Sequence, residues 1–197
     1  METVYKANSF RGQAIGAMFF TGFGAIWLGL SLYALGWLNA ASSTLLAVGL
    51  ATLSLGCFAL YRNARRWPAR VEDPRMARTY NRVNSAQWIA IFIVGFTFSR
   101  LHLDAYLLSA ITAIVGIHLI PLAKLFRRDI HLVTGMVLVL WASLTVLFVP
   151  IEHMQGVTAF GTGLILWVSA AIGLTSGILN ARRSPAPLTR RQSSLAA

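Results

Sequence analysis

Long apolar segments with almost no charged residues constrain this chain more than any other feature. A helix that crosses the hydrocarbon core of a bilayer needs roughly 20 mainly apolar residues, because each residue adds about 1.5 Å along the axis. Six segments approach or exceed that length, and the third is short and ends next to Arg100. The sequence therefore predicts an all-α, polytopic integral membrane protein with six transmembrane helices, at about residues 13–38, 44–61, 85–99, 103–123, 132–150 and 157–179.

The composition excludes other common classes of protein. Hydrophobic residues make up 56% of the 197 residues and charged residues only 12%, with a mean hydropathy of +0.64. This is about half the usual share of charge in a soluble domain. A soluble domain of this size has too little interior to bury so much apolar surface. A disulfide-stabilised module is also excluded, because Cys57 is the single cysteine.

The positions of the basic residues predict the orientation. The net charge is +11, but the basic residues lie in short runs between apolar segments, which is typical of membrane topology rather than of nucleic-acid binding. If the N-terminus is cytoplasmic, all but one of the 17 Lys and Arg residues lie on the cytoplasmic side, and the exception is Arg100. The positive-inside rule therefore predicts that both termini are cytoplasmic. We expect one membrane domain at residues 1–180 and a disordered, basic cytoplasmic tail at residues 181–197.

Small residues at regular spacing predict faces where helices pack closely. Glycines recur every seven residues in the first predicted span, and small residues recur at the same spacing in the sixth. Small side chains at this spacing let the backbones of membrane helices approach each other, within one chain or between copies in a homo-oligomer. The alternative is the general enrichment of glycine in membrane helices. The residues predicted for helix packing are Gly22, Gly29, Gly36, Gly163, Ala170, Gly173 and Gly177.

His118 is the ionisable residue that lies most clearly inside a predicted span, and ionisable groups at that depth are costly enough to indicate function. Pro121 frees the carbonyl of Ile117 from its helical hydrogen bond, and the resulting kink leaves room for a ligand. His118 and Pro121 are therefore a candidate ligand-binding site, and no cofactor is predicted. The alternative, which we favour, is a structural histidine that hydrogen-bonds to a neighbouring helix.

Two imidazoles and two carboxylates lie on the predicted outer side. The connection after the third span carries His102 and Asp104, and the connection after the fifth carries Glu152 and His153. Zinc and other divalent metals use these ligand types, so the four residues are a candidate metal site. The alternative is ordinary polarity at the membrane surface, with Arg100 paired to one of the carboxylates.

Polar residues also mark the cytoplasmic entrance to the third span. Seven arginines precede it, and Asn81, Asn84, Ser85 and Gln87 lead into it. Arginines near the membrane surface attract anionic lipid at about 1 kcal/mol each. Membrane lipid is therefore a predicted partner, and nucleic acid is not. The alternative, which we favour, is that the arginines only set the topology and that Trp88 belongs to the aromatic belt of the interface.

The segment from Gly116 to Phe126, Gly-Ile-His-Leu-Ile-Pro-Leu-Ala-Lys-Leu-Phe, resembles a segment of small bacterial six-helix inner-membrane proteins of unassigned function. The resemblance implies a location in the bacterial cytoplasmic (inner) membrane and transfers no activity. Common hydrolase, nucleotide-binding and metalloprotease motifs are absent from the sequence. We therefore expect a non-enzymatic membrane protein that binds a lipid or small apolar ligand or scaffolds a membrane complex. The alternatives are a small oligomeric channel or transporter and a membrane enzyme with an outer metal site.

Overall fold

The described parts of the chain are all-α, with helices joined by short turns. A computed structural model describes the backbone of residues 2–65 and 74–183 and the side-chain surroundings of residues 12–65 and 74–180. The last helix continues to Arg183, and the rest of the predicted tail lies outside the described residues. Within the described parts, a short 3₁₀ turn at Asp104–Tyr106 accompanies six α-helices: α1 (Glu2–Ala34), α2 (Ala40–Ala64), α3 (Pro74–Arg100), α4 (Leu107–Phe126), α5 (Asp129–Phe148) and α6 (Ile151–Arg183).

Among the described residues, five stretches are long and apolar enough to cross a membrane, and each belongs to a different α-helix, one of them together with the 3₁₀ turn before α4. This finding confirms the predicted class, a helical membrane protein. α3 contains the predicted third span but does not meet the same criterion, because Asn84, Ser85 and Gln87 lower the hydropathy of the stretch before its apolar part. The five stretches are Gly12–Ala34, Ala40–Ala64, Asp104–Phe126, Asp129–Phe148 and Ile151–Asn180.

Left-handed backbone ends three of the helices. Gly36 has a φ of 67°, and the N–H of the residue after it donates to the carbonyl of Leu32 over 2.9 Å. This pattern is the Schellman motif, which satisfies the free carbonyls at the end of a helix. His102 after α3 and Arg127 after α4 have the same conformation, with φ values of 55° and 52°. Gly36 therefore ends α1, and the helix stops before the predicted end of the first span.

α6 is the central helix of the bundle. It packs against α1 along much of its length and also contacts α2, α4 and α5. α1 and α2 form one helical pair, and α4 and α5 form another. α3 packs against α4 and the turn that precedes it, and none of the described side chains of α3 is buried. α3 is therefore a peripheral helix with one face against the bundle.

Two pairs of glycines bring helix backbones into direct contact. A Cβ added to Gly116 on α4 would lie 2.7 Å from the carbonyl oxygen of Gly135 on α5, and one added to Gly135 would lie 2.6 Å from the carbonyl oxygen of Gly116. Gly24 on α1 and Gly163 on α6 form a similar contact, with corresponding distances of 3.1 and 2.9 Å. Only glycine allows backbones this close, so each pair fixes a helix crossing.

The small residues predicted for packing on α6 lie mostly inside the bundle. Ala170 is completely buried. A Cβ on Gly163 or Gly177 would press against a leucine side chain, which for Gly177 is Leu60 of α2 at 2.7 Å. Gly173 differs, because a Cβ there would meet no atom within 4 Å. The seven-residue spacing therefore marks a packed face of α6, whereas the Gly-x-x-x-Gly pair has only one member at a close contact.

On α1, the predicted packing glycines do not lie at the close contact. A Cβ on Gly22 or Gly36 would meet no atom within 4 Å, and one on Gly29 would meet only Leu46, at 3.9 Å. The close contact belongs to Gly24, which lies about 200° around the helix from Gly22. The spacing identifies a row of small residues, but the structure turns that row away from α6.

Serine and threonine hydroxyls connect α4, α5 and α6 inside the bundle. All are buried, and each pairs with another hydroxyl across a helix interface. Such bonds between membrane helices contribute about 0.5–2 kcal/mol each, and they oppose misaligned packing because hydrocarbon offers no other partner. The pairs are Ser109 with Thr145 (3.3 Å) and with Thr158 (2.9 Å), Thr112 with Thr162 (2.9 Å), and Thr134 with Ser169 (2.7 Å).

Candidate functional site on the third helix

α3 runs antiparallel to α4 along most of the length of α4. Tyr80, near the start of α3, lies beside Phe126 at the end of α4, with ring centroids 6.1 Å apart. Further along α3, the backbone of Val83 hydrogen-bonds to the imidazole of His118. The opposite ends of the two helices are joined by the short connection that contains the 3₁₀ turn. α3 therefore has one face on α4 and the other face directed away from the bundle.

Arginine and apolar side chains share the outward face of α3. An α-helix turns about 100° per residue, so residues three, four and seven positions apart lie on one side. The arginines near the start of α3 have this spacing, and the apolar residues that continue the row are 59–65% exposed. We call this face the exposed strip of α3; it consists of Arg75, Arg78, Arg82, Ile89, Ile93, Phe96 and Arg100.

The arginine end of the exposed strip forms an open groove of about 370 Å³, lined by Arg75, Arg78, Thr79 and Arg82. The Thr79 hydroxyl donates to the backbone carbonyl of Arg75 over 3.0 Å, and Nε of Arg78 donates to the carbonyl of Pro74 over 3.2 Å. Within the described residues, no acceptor is observed for the two terminal nitrogens of Arg78, each of which can donate. Three guanidinium groups along one face suit phosphate oxygens, which they bind through paired N–H donors.

The other end of the exposed strip carries a single arginine. The guanidinium of Arg100 lies over the ring of Phe96, 5.1 Å from its centroid. Between Arg82 and Arg100 the helix contains no charged residue. This interval of 18 residues measures about 27 Å along the axis. It is close to the roughly 30 Å thickness of the hydrocarbon core of a bilayer.

The structure places His118 between α3 and α4. Its side chain is half-buried, its ring is hydrogen-bonded to the backbone of Val83, and its Nδ1 is buried without a hydrogen-bond partner in the described structure. Pro121 lies inside α4 and its side chain is exposed. The contact with Val83 is the kind of interhelical bond that we expect of a structural histidine, and it connects the peripheral helix to the bundle.

We expect His118→Leu to lower stability more than His118→Gln. Leucine removes the bond to Val83, which in a membrane protein contributes about 0.5–2 kcal/mol. Glutamine keeps both a donor and an acceptor. Thermal unfolding of the two variants in detergent measures the difference. If His118→Gln folds and inserts normally but loses lipid binding, a ligand role for His118 replaces the structural one.

The four residues predicted for a metal site are all exposed. Within the described residues, no three His, Cys, Asp or Glu side chains lie close enough to hold a metal ion, so His102, Asp104, Glu152 and His153 are not brought together as such a group. The observed connection is a different one, in which Nε2 of Gln155 donates to the backbone carbonyl of Asp104 over 2.6 Å. This bond joins α6 to the turn before α4.

The polar residues at the start of the apolar part of α3 lie on several faces. Asn81 and Ser85 are exposed, whereas Asn84 and Gln87 are half-buried on the side of α4. Arg75, Arg78 and Arg82 share a single face of α3, which was not predicted from the sequence. Their spacing of three and four residues is the signal that identifies this face.

The apolar helices and their packing define an α-helical membrane protein. No family model matches the chain, and no curated protein or solved structure matches it either. On the exposed strip of α3, charged and apolar side chains have a regular arrangement on an open surface.

Proposed function

We propose that this protein binds anionic phospholipid of the cytoplasmic leaflet through the exposed strip of α3. The observation that carries the proposal is the order of residues on that face. Near the start of α3, three arginines line a groove, and exposed apolar residues follow toward the middle of the helix. A phospholipid has the same order, because its charged headgroup is followed by its acyl chains. The guanidinium groups bind the phosphate, and Ile89, Ile93 and Phe96 pack against the chains.

The proposal includes a membrane crossing by α3. Two observations support it: α3 lies antiparallel along α4, which is itself apolar enough to cross, and the uncharged interval of α3 matches the hydrocarbon thickness. Arginine side chains at both ends reach water or headgroups while their methylene groups stay in the apolar region. Six crossings give both termini a cytoplasmic location and put the groove on the same side, consistent with the positive-inside rule. The bacterial inner membrane is the location that the resemblance implies.

Lipid binding to detergent-solubilised protein tests the proposal, with phosphatidylglycerol titrated and bound lipid counted by native mass spectrometry. We expect the triple variant Arg75→Gln/Arg78→Gln/Arg82→Gln to bind phosphatidylglycerol at least about fivefold more weakly. That factor corresponds to losing about 1 kcal/mol from one arginine at the membrane surface. Phosphatidylcholine, which has no net charge, should bind both proteins equally weakly.

A control variant separates the groove from net charge. Arg62→Gln/Lys124→Gln/Arg127→Gln removes the same three charges from exposed positions outside the groove. We expect this control to bind phosphatidylglycerol like the unmodified protein. Equal weakening in the two triple variants would show that binding depends on overall charge, and it would contradict a site on α3.

A further inference from the structure

We propose, on the basis of the function proposed above, that the lipid bound by α3 carries a second anionic group that projects outward from its phosphodiester. The arginines of the groove follow one another along the helix axis and lie on the same side of it. A helix that crosses the membrane has its axis close to the bilayer normal. The three guanidinium groups are therefore stacked by depth, and a headgroup that engages them all extends away from the membrane.

The depth of each arginine follows from the helix rise. Arg82 is the first charged residue beyond the uncharged interval, and in a helix that crosses the membrane we therefore assign it to the level of the lipid phosphodiester. Arg78 lies four residues further from the membrane centre and Arg75 seven, about 6 and 10 Å along the axis. A phosphate at the depth of Arg82 leaves Arg78 and Arg75 facing the outer part of the headgroup. These two positions suit a phosphate or another anion attached there.

The arrangement distinguishes between two kinds of lipid with two phosphates. In cardiolipin both phosphates lie at the same depth, side by side in the membrane plane. In a phosphorylated phosphatidylinositol the second phosphate lies further out, in line with the stacked arginines. The groove is open and leaves room for such a group beside the guanidinium of Arg78. The site therefore fits the second kind of headgroup.

A lipid series tests this inference on detergent-solubilised protein by native mass spectrometry. The lipids are phosphatidylglycerol, cardiolipin and phosphatidylinositol 4-phosphate with matched acyl chains. We expect phosphatidylinositol 4-phosphate to bind at least about fivefold more tightly than the other two, the factor for one additional arginine contact. Arg78→Gln should remove that advantage by weakening phosphatidylinositol 4-phosphate more than phosphatidylglycerol, whereas Arg82→Gln should weaken the binding of all three lipids.

The possible failures are distinguishable from one another. If cardiolipin binds as tightly as phosphatidylinositol 4-phosphate, or if Arg78→Gln weakens phosphatidylglycerol to the same extent, the outward group is not recognised and the inference is overturned. The proposed binding of anionic phospholipid by α3 is tested separately, by the triple arginine variant. Inorganic phosphate is the competitor that identifies a free anion in the outer groove. If it removes the preference for phosphatidylinositol 4-phosphate at the same concentration as soluble inositol bisphosphate, the second group need not belong to a lipid, and the inference is also overturned.

Discussion

Replacing Gly135 by valine is expected to prevent stable packing of α4 against α5. A Cβ at this position would lie 2.6 Å from the carbonyl oxygen of Gly116 and 3.2 Å from Cβ of Leu119. Neither of these atoms belongs to the end of a flexible side chain, so the two helix backbones must separate. Overpacking typically costs about 1–3 kcal/mol. We expect at least the upper end of that range, because helix separation also stretches the neighbouring hydroxyl pairs between α4, α5 and α6.

Thermal unfolding in detergent measures the effect, and Gly116→Val should behave in the same way. Gly173→Val and Gly95→Val are matched controls, because a Cβ at either glycine would meet no atom within 4 Å. These controls should unfold near the temperature of the unmodified protein. A Gly135→Val protein that is as stable as the Gly173→Val protein would show that α4 and α5 do not pack through these glycines.

The apolar helices are the part of the fold that the sequence predicts best. Each of the five stretches that meet the span criterion overlaps a predicted span, because long uncharged segments have few alternatives to a membrane helix. The ends are less predictable. α1 stops before Gly36 because that glycine adopts the left-handed conformation, and the apolar residues that follow it give no sign of this turn.

Helix rotation is the information that spacing alone does not contain. Seven-residue spacing on α6 indicates a packed face, and the same spacing on α1 indicates a face that is turned outward. Gly24 packs against Gly163, although only Gly22, two residues earlier, belongs to the regular row. Composition gives no preference between the face of Gly22 and the face of Gly24, because both faces carry a glycine. Contacts with the neighbouring helix decide the rotation, and those contacts depend on the whole bundle.

The polar core was not predicted for a related reason. Intramembrane ionisable residues are the usual indicators of function, and they directed attention to His118. The buried hydroxyls of Ser109, Thr112 and Thr162 carry no charge, and each is separated in sequence from its partner by 36 or more residues. Single serines and threonines are common in membrane helices, where they can also bond to their own backbone. Only the three-dimensional structure shows which of them pair.

The location of the two ends of α3 tests whether α3 crosses the membrane and presents its arginine groove to the cytoplasmic side. The measurement is labelling of single cysteines by a membrane-impermeant maleimide in intact cells, in a Cys57→Ala background. Cys57 is completely buried. Alanine lacks only the sulfur atom of cysteine, so Cys57→Ala removes the native thiol with a small change in volume. Ala41→Cys, at the exposed start of α2, is the control for outer-side labelling.

We expect Leu101→Cys, just beyond the end of α3, to be labelled in intact cells like the Ala41→Cys control. Thr79→Cys, inside the groove, should be labelled only after the membrane is made permeable. This result places the two ends of α3 on opposite sides, with the arginines facing the cytoplasmic leaflet. Labelling of Thr79→Cys and Leu101→Cys from the same side would show that α3 does not cross, and it would contradict both the six-span topology and the proposed lipid site.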